Sequence, residues 1–340
     1  MSVPKPVGTY CGRCPGMCPG HYVSPTRAKL QSSLEDRIAT ATGVAPKVYG
    51  PLQPFRPKKL VESWRKQKPR PYLCQVDPSY QIQHDVTTNA TGYDEHGQLL
   101  FVYLKNVMPT TGPAAQRKAL KILQHMSFKS CNRSGRPELK NAVRFNGHAN
   151  PAAAEINLGY QALIKIWRIG YKHKRPTVTH IKNEKLQTLL FPLLDYMVGW
   201  YACVLPRLFR ELWKTCPPEF RHGTVPFSSL TLLKSAPSAI HVDAKNGKGF
   251  ACMTTIAAPQ SYSGGEFCFV KYGVRLRVMP GDLLIAATPA NDHCNLSPVI
   301  GEKFSVIGYF KHTLLNARML QGFRDELNSG KLTVPARRSN

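Results

Sequence analysis

His241 and Asp243 are separated by one residue, and His293 follows further along the chain. Two imidazoles and one carboxylate on one face form a facial metal triad, a donor set that suits Fe(II) and leaves coordination positions open. Ten residues after His293 comes Lys303-Phe304-Ser305. In a strand, period 2 puts Lys303, Ser305, Ile307 and Tyr309 on one face, the face a barrel interior needs. H-x-D alone is a weak signal. Joined to a distal histidine and a basic-x-Ser strand, it becomes a specific one.

These residues need a β framework to bring them together. Apolar or alternating runs at 250–257, 264–270, 274–278, 283–287 and 304–310 are separated by Gly and Pro turns, of which Pro280-Gly281-Asp282 is the clearest. A run over 228–240 leads into His241, which places that histidine at a strand end. Short strands with such turns predict a sandwich or jelly roll rather than a parallel α/β sheet. Upstream, 93–107 reads as a strand pair turning at Asp94-Glu95-His96-Gly97, and 114–128 as an amphipathic helix. Residues 183–213 read as a long helix kinked near Pro192 or Pro206. Part of it, 189–209, imitates a membrane span. Asp195 and the two prolines favour a buried scaffold helix instead, so no membrane partner is expected.

The sequence resembles the TET/JBP group of Fe(II)/2-oxoglutarate dioxygenases, nucleic-acid base hydroxylases with a double-stranded β-helix core. It is similar to the fungal, transposon-associated members. The resemblance rests on H-V-D-A-K-N at 241–246, G-G-E-F at 264–267, P-G-D-L-L at 280–284, H-C-N at 293–295 and G-E-K-F-S-V-I-G-Y at 301–309. These motifs cover 225–312; 140–224 is similar in layout only. The resemblance implies an α+β fold with a double-stranded β-helix (jelly-roll) core and supporting helices; it does not cover residues 1–70. It makes His241, Asp243 and His293 the iron ligands. Lys303 and Ser305 then hold the far carboxylate of 2-oxoglutarate, Asn246 faces the target cytosine, and Tyr309 stacks on the flipped base. The family's histidine two residues beyond the aromatic falls here on Lys311, with His312 one further along. Lys303 stands where the family has arginine. Lysine meets a carboxylate as a point charge rather than as a planar fork. Both 2-oxoglutarate and ascorbate therefore stay open as the cosubstrate.

Charge points the same way. The 340 residues hold 46 Lys and Arg against 20 Asp and Glu, a formal net charge of +26. Such an excess predicts a polyanionic partner, DNA first, rather than a small neutral metabolite alone. The charge is uneven: 13 basic against 3 acidic residues in 1–70, 15 against 3 in 114–185, and 7 against 5 in 226–310. Residues 1–70 also hold 10 of the 28 prolines. They read as an extended, partly disordered arm with one helical stretch near 28–42. The predicted domain plan is this arm followed by a catalytic domain over 71–340. Its helical support and basic region would fill about 71–224, and its β core about 225–315.

In the arm, Cys11, Cys14, Cys18 and His21 suit a structural Zn²⁺, or are unpaired thiols in a tail. The N-terminus has no apolar signal segment, so a nuclear or cytoplasmic rather than secreted protein is expected. Oligomeric state has no signature. The leading functional expectation is oxidation of the methyl group of 5-methylcytosine in DNA. The rivals are a same-fold hydroxylase of RNA or protein, and a non-catalytic basic nucleic-acid-binding protein.

Overall fold

The computed structural model describes residues 33–54, 82–108, 117, 129–130, 144–145, 148–149, 154–162, 174–176, 184–216, 218–222, 225–235, 238–243, 250–256, 262–296, 299–301 and 303–311. In chain order these form α1 (Leu34–Thr42), β1 (Lys47–Tyr49), β2 (His84–Val86), β3 (Ala90–Tyr93), β4 (Leu99–Leu104), β5 (Lys129–Ser130), β6 (Arg144–Phe145), β7 (His148–Ala149), β8 (Ala154–Ala162) and β9 (Lys174–Pro176). Next come α2 (Glu184–Val204), α3 (Pro206–Thr215), β10 (Ser229–Lys234), β11 (Ser238–His241), β12 (Ala251–Thr255), β13 (Tyr262–Gly264) and β14 (Phe267–Phe269). The remainder are β15 (Val274–Leu276), β16 (Leu283–Ala286), β17 (His293–Asn295), β18 (Val299–Gly301) and β19 (Phe304–Tyr309).

Two sheets face each other. The larger runs β1-β3-β4-β16-β12-β19-β10-β8-β5, with β9 on β8; the smaller runs β11-β17-β14-β15-β2. From β10 onward the chain alternates between them. β10, β12, β16 and β19 join the larger sheet; β11, β14, β15 and β17 join the smaller. This alternation is the double-stranded β-helix expected from the sequence.

Side-chain alternation gives the larger sheet two working faces. Leu230, Leu232, Cys252, Leu283, Ile285, Phe304 and Val306 pack against the helices. Met253, Leu284, Ala286 and Ile307 turn inward, toward Phe267, Phe269, Val274 and Leu276 of the smaller sheet. Because Phe304 and Val306 face the helices, Lys303, Ser305, Ile307 and Tyr309 share the interior face.

The long apolar segment is a scaffold, as expected: Leu190, Leu194, Met197, Trp200 and Tyr201 are fully buried in the helix-side core. The Trp200 indole N–H is satisfied by the Val107 carbonyl at 3.0 Å. No described helix is long and apolar enough to cross a membrane. The segment is two helices rather than one. α2 runs through Pro192, and the break falls at Leu205, since Pro206 disfavours helical geometry in the residue before it and starts α3 well.

Two further differences from the sequence reading have physical causes. The run 228–240 is not one strand: β10 and β11 lie in different sheets. Between them Ser235 adopts φ 43°, its N–H meeting the Lys303 carbonyl at 2.7 Å while its hydroxyl accepts from the Lys303 N–H at 3.0 Å. The β structure also extends upstream, because β2 joins the smaller sheet and β3, β4 and β8 the larger.

Part of the N-terminal arm is ordered. Ser33 caps α1 in a capping box with Asp36, and Gly43 ends the helix at φ 74°. Leu34, Ile38 and Ala41 are buried against the helix layer, and β1 pairs in parallel with β3. The expected helix at 114–128 lies outside the described residues, apart from Arg117, which is helical.

Candidate metal and cosubstrate site

His241 ends β11 and stands directly opposite His293 of β17, with ring centroids 4.3 Å apart. Asp243 follows two residues later. Its Oδ1 lies 3.7 Å from His241 Nε2 and its Oδ2 3.6 Å from His293 Nε2. One ligand atom from each of the three lies within 4.8 Å of the others, a spacing that fits one ion between them.

The geometry is set by backbone carbonyls. His293 Nδ1 lies 2.9 Å from the Asn291 carbonyl, so Nδ1 is the donor there and Nε2 is the ring nitrogen left facing the Asp243 side. The Asn291 side-chain amide donates to the Ala287 carbonyl at 3.0 Å, and the Asp243 N–H to the Thr288 carbonyl at 3.1 Å. One turn, 287–292, thus orients two of the three groups. Phe267 stacks on the His293 ring at 5.3 Å and 17°, which fixes its plane. Val242, between the two nearby ligands, points out and is 39% exposed.

The triad opens on a cavity lined also by Thr231, Met253, Phe267, Leu284, Ala286, Asn295, Ile307 and Tyr309. The Tyr309 and Thr231 hydroxyls lie 3.2 Å apart, and Lys311 Nζ sits 5.9 Å from the Tyr309 ring centre. Tyr309 therefore shares a cavity with the triad, as its strand position predicts.

Lys303 and Ser305 are on the same interior face beyond Ile307, and are not among the cavity-lining residues. Lys303 is 6% exposed. Its ammonium donates to the Gly265 carbonyl and lies 5.7 Å from the Tyr262 ring centre. Among the described residues, no carboxylate stands within ion-pair distance of it. Burial pulls its pKa down from 10.5 to about 8, with Glu266 acting in the opposite direction. Ser305 is opposite Thr255, which donates to the Val278 carbonyl at 2.9 Å, and Tyr262 donates to the same carbonyl at 3.2 Å. Lys303 is thus a buried cation held by one carbonyl and lying beside one ring.

Asn246, His312 and the cluster Cys11, Cys14, Cys18 and His21 lie outside the described residues. Thr231, Thr288, Asn291 and Asn295 were not singled out from the sequence. Asn295 has a usable signal, because period 2 places it on the face of His293.

No family model matches the chain. It is 26% identical over 227 residues to thymine dioxygenase JBP1 of Crithidia fasciculata, covering 65% of this chain and 26% of that protein. Its identity to thymine dioxygenase JBP1 of Leishmania infantum is 23% over 232 residues, covering 67% and 26%. The chain thus spans about a quarter of the length of these relatives. Among solved structures it superposes on NgTET1, determined in complex with 5mC DNA, with a TM-score of 0.52 and 13% identity over 90% of this chain and 99% of that one. The fold is that of the Fe(II)/2-oxoglutarate oxygenases. Within it, the chain is TET/JBP-like in sequence and in architecture.

Proposed function

We propose that the protein is an Fe(II)- and 2-oxoglutarate-dependent dioxygenase that oxidises the methyl group of 5-methylcytosine in DNA. The observation that carries this reading is the His241–Asp243–His293 cluster, its ligand atoms within 4.8 Å, on the interior face that also carries the buried Lys303. The residues fit the groups they would take. Two neutral imidazoles and a carboxylate suit Fe(II), and a desolvated ammonium beside Ser305 suits the distal carboxylate of a five-carbon diacid. That second feature favours 2-oxoglutarate over ascorbate, which has no carboxylate to offer Lys303.

When bound, the iron supplies the oxygen activation that attacks a C–H bond. The protein's residues do the remainder. The turn 287–292 holds His293 in one tautomer and Asp243 in place. The apolar wall of Met253, Leu284, Phe267 and Ile307 keeps water from the reacting groups. A methyl group in a duplex groove cannot enter this cavity, so the base must leave the stack, and Tyr309 offers it a ring. The basic segments 1–70 and 114–185 supply charge for phosphates.

The relatives support a 5-methylpyrimidine substrate: one is a thymine dioxygenase, and the other structure is a complex with 5mC DNA. The experiment is nucleoside mass spectrometry after incubating DNA that contains both 5-methylcytosine and thymine with protein, Fe(II) and 2-oxoglutarate. The expected product is 5-hydroxymethylcytosine. A product from thymine alone would move the assignment to the other pyrimidine, and no oxidised nucleoside under iron-dependent succinate formation would remove DNA as the substrate.

A further inference from the structure

Thr288 lies just past the end of β16. Period 2 carries the inward face of Leu284 and Ala286 on to it, and it lines the triad cavity with them. It is 3% exposed. Its backbone is engaged: the N–H donates to the Ala286 carbonyl at 2.9 Å, and the carbonyl accepts from the Asp243 N–H at 3.1 Å. The hydroxyl differs. Thr288 Oγ1 is buried and meets no hydrogen-bond partner among the described residues. A buried hydroxyl without a partner is costly, and valine would fill nearly the same space without that cost. A hydroxyl kept beside a metal ligand thus points to a polar group that the cavity takes up.

Strand register places Thr288 at the end away from Lys303. On the larger sheet, Thr254 is opposite both Val306 and Leu283, and Cys252 is opposite both Gly308 and Ile285. β16 therefore runs from the Lys303 end of β19 at Leu283 to the Tyr309 end at Ala286, and Thr288 lies beyond it. On the smaller sheet, Asn295 pairs with Phe267, two residues from the Gly265 carbonyl that holds Lys303, and His293 pairs with Phe269, further off. The turn 287–292 precedes His293 and so continues away from Lys303. The triad stands between Lys303 and Thr288. A diacid spanning Lys303 and the triad leaves Thr288 on the side where the substrate enters.

The chemistry of a 5-methylpyrimidine says what the hydroxyl meets there. Of the two ring carbons beside the methyl-bearing carbon, one carries only hydrogen. The other carries the amino group of 5-methylcytosine or the 4-carbonyl of thymine. The 2-carbonyl is across the ring. With the methyl group turned to the triad, the 4-substituent is the polar group nearest the metal. A hydroxyl accepts from an amino group or donates to a carbonyl. We infer that the Thr288 hydroxyl holds the 4-substituent of the flipped base and so positions the 5-methyl group at the triad. This rests on the methylpyrimidine reading above.

The test compares parent, Thr288→Val and Thr288→Ser on two DNA substrates. One contains 5-methylcytosine. The other contains 5-methylpyrimidin-2-one, which has hydrogen in place of the 4-amino group. Oxidised nucleosides are measured by mass spectrometry. Mn(II) affinity is read by electron paramagnetic resonance and 2-oxoglutarate affinity by calorimetry. On 5-methylcytosine, Thr288→Val should lower kcat/KM by about 2- to 12-fold, as loss of one neutral hydrogen bond does, and Thr288→Ser should recover most of it. On the 2-pyrimidinone, Thr288→Val and parent should be equal. Mn(II) and 2-oxoglutarate affinities should match the parent's, and the valine variant should melt at an equal or higher temperature. Parent-like turnover of 5-methylcytosine by Thr288→Val, or the same factor lost on both substrates, would overturn the inference. So would a loss of 2-oxoglutarate affinity, which assigns the hydroxyl to the cosubstrate. A parent that forms succinate but oxidises neither base would overturn the methylpyrimidine reading and the inference with it, which separates the two failures.

Discussion

The smaller sheet supplies His241 and His293, and the larger sheet supplies Lys303, Ser305, Tyr309 and Thr231. The two contributions differ in how they are held. On the smaller sheet, the ligands sit near the rim and are aimed by neutral backbone carbonyls of Asn291 and Thr288. On the larger sheet, a helix-backed layer seals the cation away from water, with a carbonyl and a ring as its company. One end is preorganised at little electrostatic cost. The other carries a cost that a bound carboxylate would offset. The metal end should therefore tolerate no loss of a ligand, whereas the cation end should trade stability against affinity.

The largest expected effect is on the smaller sheet. Asp243→Ala should reduce Fe(II) or Mn(II) content to background by metal analysis and abolish turnover, while DNA binding stays largely intact. Metal content equal to the parent's would remove the triad. On the larger sheet, Lys303→Met should weaken 2-oxoglutarate binding by about 100-fold, the loss usual when one partner of a buried charge pair is truncated. The same variant should unfold at an equal or higher temperature, because an uncompensated buried charge has gone. A drop in both affinity and melting temperature would break the contrast.

Tyr309→Ala should lower turnover on DNA by about 5- to 150-fold, the kinetic equivalent of about 1–3 kcal/mol of stacking. Its 2-oxoglutarate affinity should not change. Loss of cosubstrate affinity there would merge the two roles assigned to β19.

The smallest effect is on pH dependence. Lys303 titrates at about 8 in the folded chain against 10.5 ordinarily, lowered by burial. Between those values the unfolded chain binds more protons, so this group's contribution to stability rises with pH over that window and levels off above it. Affinity for 2-oxoglutarate should fall over the same range as the ammonium loses its proton. Denaturation and calorimetry from pH 7 to 10 on parent and Lys303→Met should show opposed trends in the parent and neither of them in the variant.

Much of this division is visible in the sequence. H-x-D, the distal histidine and the period-2 face of Lys303, Ser305 and Tyr309 need only side-chain identity and strand alternation, and the fold honours both. What escaped depends on backbone or register. The carbonyls of Asn291 and Thr288 have no residue signature, although the turn letters Thr288-Pro289-Ala290-Asn291 mark a tight reversal. The crossing from β10 to β11 occurs at Ser235 in a left-handed conformation, without a glycine to announce it. The recruitment of 84–104 and 154–162 into the sheets likewise follows from tertiary pairing.

A single 2-oxoglutarate should bridge the two sheets, from the triad to Lys303. Calorimetric titration of the parent with 2-oxoglutarate, with and without Mn(II), tests it most directly. Binding should be one-to-one, should need the metal, and should be lost in both Asp243→Ala and Lys303→Met. Binding that persists without metal and in both variants, or no binding by the metal-loaded parent, would contradict it.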